Sequence, residues 1–194
     1  QQVPHPQGPY QYTGQQQYLC PLCGRAEFQS KWKLLYNHWV CKKCSTGFAN
    51  RRQFAYLVDL VLFYAMEFVS GFIVGSVMVH SGATQTEIQT VARIVGIALL
   101  PLFLLKDGFG GHSPGKALMG VQVINSKTGW PAGFGASFKR NLITLIPVMP
   151  LVVAFLLING KRIGDGWANT KVIWKKYAHY PVFAPDAGPS FVQQ

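Results

Sequence analysis

The sequence predicts an α-helical membrane protein with a small metal-binding module near its N-terminus. Three apolar blocks, residues 54–79, 88–105 and 142–158, are separated by polar segments rich in Gly and Lys. The first two are long enough to cross a bilayer as single helices. Two Cys-x-x-C pairs precede them and short alternating segments follow them. The expected fold therefore has two spanning helices, a third apolar segment, an N-terminal module and short cytoplasmic β segments.

Charged residues interrupt the first apolar block on one side. Arg52 precedes Asp59 by seven residues and Glu67 follows eight later, so at about 100° per residue all three lie near one helix face. Carboxylates at membrane depth are costly unless paired or wetted. This polar stripe is expected to face protein or a water-filled crevice.

The second block carries Arg93, about 10 Å below the predicted external end of its helix. An ion pair with Glu67 on the first helix is the favoured way to satisfy this charge. The alternative is that the arginine side chain extends to the external interface.

The third block, residues 142–158, contains Pro147 and Pro150 and has basic residues on both flanks. A full crossing would leave the C-terminal lysines outside, against the positive-inside bias. A re-entrant segment that turns at the prolines is therefore favoured, and a full crossing stays open.

The net charge of +11 has a membrane explanation. Of the 18 Lys and Arg residues, seven precede the first block, five lie within residues 106–140 and five follow residue 158, whereas residues 80–87 contain none. The positive-inside bias makes residues 80–87 external and the basic segments cytoplasmic. We expect contact with membrane lipids rather than with nucleic acid. The predicted location is a prokaryotic inner membrane.

The four cysteines have the spacing of a zinc ribbon. Cys20 and Cys23 form one Cys-x-x-C pair, and Cys41 and Cys44 form the second after 17 intervening residues. Two such pairs close a tetrahedral four-sulfur site that suits Zn²⁺. His38 is expected at the surface rather than as a ligand. Basic and aromatic residues alternate within the module, and we expect them to contact lipid or a partner protein.

The loop between the second and third blocks does not predict a nucleotide site. GGHSPGKA nearly matches a phosphate-binding loop, but Ala117 replaces the required Ser or Thr and no strand precedes the loop.

Apolar and polar side chains alternate in residues 120–125, which is the pattern expected of a short strand. Residues 170–174 have the same pattern, and the two segments are expected to pair.

Four segments of the chain resemble the RDD membrane proteins, a family named for one arginine and two aspartates. They are RRQFAYLVD, GHSPGKALMGVQVI, FKRNL and KRIGDGWANTKVI, and they extend from residue 51 to about residue 175. On this resemblance Arg52 is the family's arginine, and Asp59 and Asp165 are its aspartates. The other positions that match the pattern are Ala55, Gly115, Lys116, Arg140 and Arg162. The resemblance implies a membrane architecture, and the family's molecular function is poorly defined, with transport suggested for some members.

The resemblance and the composition divide the chain into four parts: a Gln- and Pro-rich tail (1–18), the zinc ribbon (19–47), the membrane domain (51–176) and an extended tail (177–194).

Because Arg52 and Asp59 are two turns apart, about 10 Å along a helix, a bridging group is needed to join them. Asp165 is expected to approach this site.

Two functions are considered, and neither is enzymatic, because no nucleophile has an adjacent base. The first is a non-catalytic accessory or assembly subunit of a larger membrane complex, with tails that run over neighbouring chains. The tail anchors would be Tyr10, Tyr12, Phe183 and Phe191. The alternative is an ion or small-solute transporter, in cation/proton exchange, that uses Asp59 and Glu67 inside the membrane.

Overall fold

The computed structural model describes residues 17–28, 31–146, 152 and 163–186. The described chain forms a cysteine module (residues 17–41), a helical hairpin of two long helices, and a basal layer of short helices and strands (residues 106–145 and 163–174). Residues 1–16 and 187–194, which include Tyr10, Tyr12 and Phe191, lie outside the described residues. The turn of the third apolar block at Pro147 and Pro150 also lies outside them.

Two antiparallel β-hairpins build the cysteine module. The first pairs β1 (Gln17–Leu19) with β2 (Ala26–Phe28), and the second pairs β3 (Trp32–Leu35) with β4 (His38–Cys41). A two-residue turn closes the second hairpin, with φ of 47° at Tyr36 and 67° at Asn37. Positive φ at both positions gives the turn the backbone twist that neighbouring strands require.

The first long helix, α1 (Lys42–His80), begins much earlier than the apolar pattern predicts. We expected residue 54 as its start, but the second Cys-x-x-C pair is its first turn, and Cys41 caps it by accepting a hydrogen bond from the Cys44 backbone N–H (3.4 Å). At 1.5 Å per residue, α1 is about 58 Å long, nearly twice the thickness of a bilayer core. Its N-terminal part therefore projects from the apolar region.

The second long helix, α2 (Gln85–Leu105), returns antiparallel to α1. Thr84 and Glu87 form a capping box at its start, which satisfies backbone donors that the first turn leaves unpaired. Of the described helices, α1 and α2 are both long and apolar enough to cross a membrane, and most of their apolar side chains are exposed.

The basal layer follows α2 and packs against the same end of the hairpin. Its elements are α3 (Pro114–Met119), β5 (Val121–Asn125), α4 (Phe134–Asn141) with a 3₁₀ turn (Leu142–Leu145), α5 (Ile163–Trp167) and β6 (Thr170–Trp174). The predicted pairing of β5 with β6 is confirmed: the strands are antiparallel, with Val121 opposite Trp174 and Asn125 opposite Thr170.

An aromatic core joins the cysteine module to the basal layer. Phe48 of α1 lies 5.3 Å from Phe183, 6.2 Å from Tyr36 and 6.3 Å from Trp174, measured between ring centroids. The hydroxyl of Tyr36 also donates to the carbonyl oxygen of Val172 (2.9 Å). Phe183 is almost completely buried in this core. The expectation that Phe183 anchors the C-terminal tail on another chain is therefore wrong, because its own chain already buries the ring.

Candidate functional site

Seven charged side chains are buried together where the helical hairpin meets the basal layer. Each is at most 9% exposed, although charged groups are rarely buried unless they are paired. We call this group the charge network. Its acids are Asp59, Asp107 and Asp165, and its bases are Arg52, Lys106, Lys116 and Arg140.

The charges alternate in sign along a continuous chain of ion pairs. In order, the pairs are Lys106–Asp59 (3.2 Å), Asp59–Lys116 (3.7 Å), Lys116–Asp107 (2.5 Å), Asp107–Arg140 (3.7 Å), Arg140–Asp165 (3.1 Å) and Asp165–Arg52 (3.2 Å). Each carboxylate thus lies between two bases. The network connects α1, α3, α4, α5 and the end of α2.

Asp59 holds the start of α3 against α1. One carboxylate oxygen accepts from the Ser113 hydroxyl (2.6 Å), and the other accepts from the backbone N–H of Gly115 (2.8 Å). A Cβ atom at residue 115 would clash with the carbonyl oxygen of Ala55. The glycine and the small Ala55 therefore permit the close approach that this hydrogen bonding needs.

Asp107 is the innermost acid of the network. Burial opposes its ionisation, but the charges of Lys116, Arg140 and Lys106 outweigh this effect and hold the pKa of the carboxyl well below its usual range. Burial lowers the pKa of Lys116, although Asp107 opposes that shift. Asp107 and Lys116 thus form a charged pair that water does not reach.

The side of α4 that faces the network also hydrogen-bonds to backbone groups at the end of α2. The Ser137 hydroxyl donates to the carbonyl oxygen of Leu104 (2.9 Å) and accepts from the backbone N–H of Asp107 (3.0 Å). The Asn141 amide donates to the same carbonyl (3.1 Å). The last carbonyl groups of a helix have no partner within it, so these contacts fix α4 to α2.

Asp165 approaches Arg52 as the sequence predicts, and Arg52 and Asp59 are joined through the charge network rather than by a direct ion pair. Asp59 pairs instead with Lys106 and Lys116, and four intervening charges separate it from Arg52 along the network. The two-turn separation along α1 explains this, because each side chain reaches a different element of the basal layer.

The cavity between the bases of the network is small, whereas a second cavity, of about 270 Å³, borders Asp165. The cavity that borders Arg52, Lys116 and Arg140 measures about 10 Å³, which is about the space of one water molecule. The Lys116 ammonium is occupied by carboxylates, which agrees with our rejection of its loop as a phosphate site. The alternating ion pairs fix α3, α4 and α5 to the helical hairpin.

The predicted ion pair between Glu67 and Arg93 is absent from the ion pairs of the described residues. The helix register explains this correction. Glu67 lies opposite Gly96, where a Cβ atom would be 3.7 Å from the Glu67 carboxylate. Arg93 is three residues nearer the hairpin loop, about 4.5 Å farther along α2, and its side chain is exposed.

The four cysteines form a second cluster at the start of α1. Their sulfur atoms all lie within 4.8 Å of one another, and the Sγ atoms of Cys23 and Cys41 are 3.7 Å apart. Among the described residues this is the group of potential ligands that could hold a metal ion, and His38 is not part of it. The cysteines form no disulfide. Cys20, Cys41 and Cys44 are buried, so a bound ion would be shielded from water.

Backbone N–H groups favour the thiolate of Cys20, whereas burial raises the pKa of the Cys41 and Cys44 thiols. Burial would raise the pKa of the Cys20 thiol, but hydrogen bonds from the backbone N–H groups of Cys41, Cys23 and Leu22 lower it overall. The start of α1 adds the positive end of the helix dipole. Thiolates are the form that binds metal ions.

Two members of the network, Lys106 and Asp107, are not among the residues that the sequence pattern predicts for a site. The available signal was an Asp directly after an apolar helix, in a chain with only seven acidic residues. Arg162, which the RDD resemblance singles out, lies outside the described residues.

Comparison with known proteins assigns the chain to one family. No curated protein and no solved structure matches it. The model of the RDD family matches residues 46–169, which include every member of the charge network. With this match over more than half of its length and two helices that can cross a membrane, the chain belongs to the RDD family of membrane proteins.

Proposed function

We propose that the protein is a non-catalytic accessory or assembly subunit of a larger membrane complex, and that its helical hairpin packs against membrane helices of other chains. The observation that carries this proposal is Arg93. Its side chain is exposed on α2, about 12 Å along the helix from Gln85, and the ion pairs of the described residues do not include it.

An arginine at this depth favours a partner over lipid. Charged side chains within a membrane are costly and normally face protein or a water-filled cavity. Glu67, half-buried over Gly96, adds a carboxylate that has no base beside it among the described ion pairs. A helix from another chain that offers a carboxylate or free carbonyl groups to Arg93 would satisfy its charge.

The alternative function, transport through Asp59 and Glu67, has less support. Both oxygens of Asp59 are hydrogen-bonded, and two lysines neutralise its charge. A transported cation would have to displace those lysines. Within the described residues, two exposed helices enclose no path, so transport would require further segments or an assembly.

We further propose that the cysteine cluster holds a structural zinc ion in a zinc ribbon on the cytoplasmic side of a prokaryotic inner membrane. A tetrahedral site with Zn–S bonds near 2.3 Å places its sulfur atoms about 3.8 Å apart, close to the 3.7 Å between Cys23 and Cys41. The cytoplasmic side follows from the positive-inside bias, because the basic residues flank the apolar blocks at the end that carries the module.

The test is to purify the tagged full-length chain from its native membranes in a mild detergent. We expect another membrane protein to co-purify in a fixed ratio. Arg93→Ala should reduce this ratio, because the partner loses its charge contact. Ile94→Ala is the matched control, since Ile94 is the exposed neighbour on the same helix and carries no charge.

Two outcomes would contradict the proposal. In one, the wild-type chain is recovered alone from native membranes. In the other, purified chain in vesicles conducts ions and Asp59→Asn abolishes the flux, which would favour transport.

A further inference from the structure

The polarity of α4 is reversed relative to a helix on the surface of a soluble protein. Its buried side consists of polar residues, and its exposed side consists of large apolar residues. Ser137, Arg140, Asn141 and Thr144 of the following 3₁₀ turn are buried. Phe134, Phe138, Leu142 and Leu145 are each at least 36% exposed, and their spacing of three or four residues places them on one face.

The position of α4 along the hairpin places this apolar face beside the membrane. Ser137 and Asn141 bind the carbonyl oxygen of Leu104, two residues before Lys106, and Lys106 pairs with Asp59 of α1. The surface of α1 is already apolar before that level, since Phe54 and Leu57 are both more than half exposed. From residue 54 to residue 59 a helix rises about 7.5 Å. The face of α4 is therefore level with the apolar part of α1.

Neighbouring residues extend the same surface. Phe109 is 71% exposed, and its ring lies 5.0 Å from that of Phe134 in an edge-to-face contact. Lys139 is exposed beside Phe138. Aromatic rings bordered by a lysine are typical of helices that lie in the interface of a membrane, where the lysine reaches the headgroups.

We propose that α4 and its 3₁₀ turn lie in the boundary of the bilayer, with their aromatic face in contact with lipid acyl chains. The occupant of this face is lipid rather than protein, because the face lies at the end of the apolar surface of the hairpin, beside Lys139, and the proposed partner contact at Arg93 is about 16 Å farther along α2 from Leu104. The arrangement places the charge network between α1 and α4, inside the membrane boundary. The reversed polarity of α4 then has a direct reason: its polar side is the one that must satisfy buried charges.

The test uses a photoreactive phenylalanine analogue, p-benzoylphenylalanine, in the full-length chain in vesicles of phosphatidylethanolamine and phosphatidylglycerol. The analogue replaces Phe138 in one variant and Phe72 in the second. Phe72 is 68% exposed within α1 and reports contact with acyl chains. The third variant carries it in place of exposed His179, beside Tyr180 and close to the aromatic core around Phe48.

After illumination, mass spectrometry identifies the adducts. We expect Phe138 to give lipid adducts at a yield similar to Phe72 and about tenfold above His179. A yield at Phe138 as low as at His179 would overturn the proposal. So would adducts of Phe138 mainly with protein, whether a second copy, another subunit or residues 147–162 of the same chain.

Discussion

At the scale of single residues, the charge network depends on matched pairing. Asp107 is fully buried between Lys116 and Arg140, and each of these bases also contacts another acid of the network. Removing water from a charge costs several kcal/mol, and pairing recovers that cost only while both partners are present. The central aspartate therefore determines whether two bases are satisfied.

Replacing this aspartate should destabilise the protein strongly. Asp107→Asn leaves Lys116 and Arg140 short of a carboxylate, and we expect the free energy of unfolding to fall by about 3–5 kcal/mol. Asp186→Asn is the control, because Asp186 is mainly exposed and pairs only with Lys171, so its loss should cost less than about 1 kcal/mol. Unfolding in mixed detergent micelles measures both values. Equal effects of the two variants would contradict the buried pairing.

The same residue predicts an acid-sensitive stability. The pKa of Asp107 in the folded protein lies below its ordinary value of 3.8. Its ion pairs therefore contribute stability that is fully present above that value and is lost as the pH falls toward the folded-state pKa. Between about pH 5 and pH 3 the wild type should lose more unfolding free energy than Asp107→Asn. If the unfolding free energies of the wild type and Asp107→Asn changed in parallel with pH, the pKa of Asp107 would not be lowered in the folded protein.

The sequence identifies part of this network and not the rest, for a physical reason. Arg52, Asp59 and Asp165 stand at family positions, and the need for a bridging group follows from helix geometry. Lys106 and Asp107 follow an apolar helix, and charged residues at such a position usually lie in water just beyond the membrane. Only the position of α4 and its bond to Leu104 shows that this helix end is enclosed.

At the scale of elements, α1 connects the cysteine cluster to the membrane without a break. Cys41 caps the helix and Cys44 lies in its first turn, so a metal ion bound by these cysteines would fix the start of the helix. We expected a separate module and a membrane helix from residue 54. The segment between them has no apolar run, and pattern alone cannot distinguish a projecting helix from a linker.

Metal removal should affect this end of the molecule first. We expect one zinc per chain, because four thiolates in a buried tetrahedron suit Zn²⁺. Chelation should increase amide hydrogen exchange in residues 17–50 and leave α2 protected, since structural zinc supplies much of the folding free energy of a small module. Cys23→Ser should reproduce this change, and Ser45→Ala should not. A zinc content below half an equivalent, or disulfides among the cysteines, would contradict this prediction.

At the scale of the whole molecule, the network and the aromatic core make one rigid base for an incompletely covered hairpin. The base joins the N-terminal half of α1 to the end of α2 through α3, α4 and α5. Farther along the hairpin, Arg93 and most apolar side chains remain exposed. The sequence predicts the exposed helices and the pairing of β5 with β6. It does not predict that Phe183 completes the core, because an isolated aromatic in a Pro-rich tail has no periodic pattern.

The most direct test of the assembly proposal is the native mass of the protein released from its own membrane. Native mass spectrometry of tagged wild-type chain, extracted in lipid nanodiscs, reports the mass of whatever remains bound to the 21.5 kDa polypeptide. We expect a defined mass well above that of the single chain with its lipids and metal, and we expect Arg93→Ala to release the single chain. Recovery of the wild type as a single chain from native membranes would contradict the proposed role as an assembly subunit.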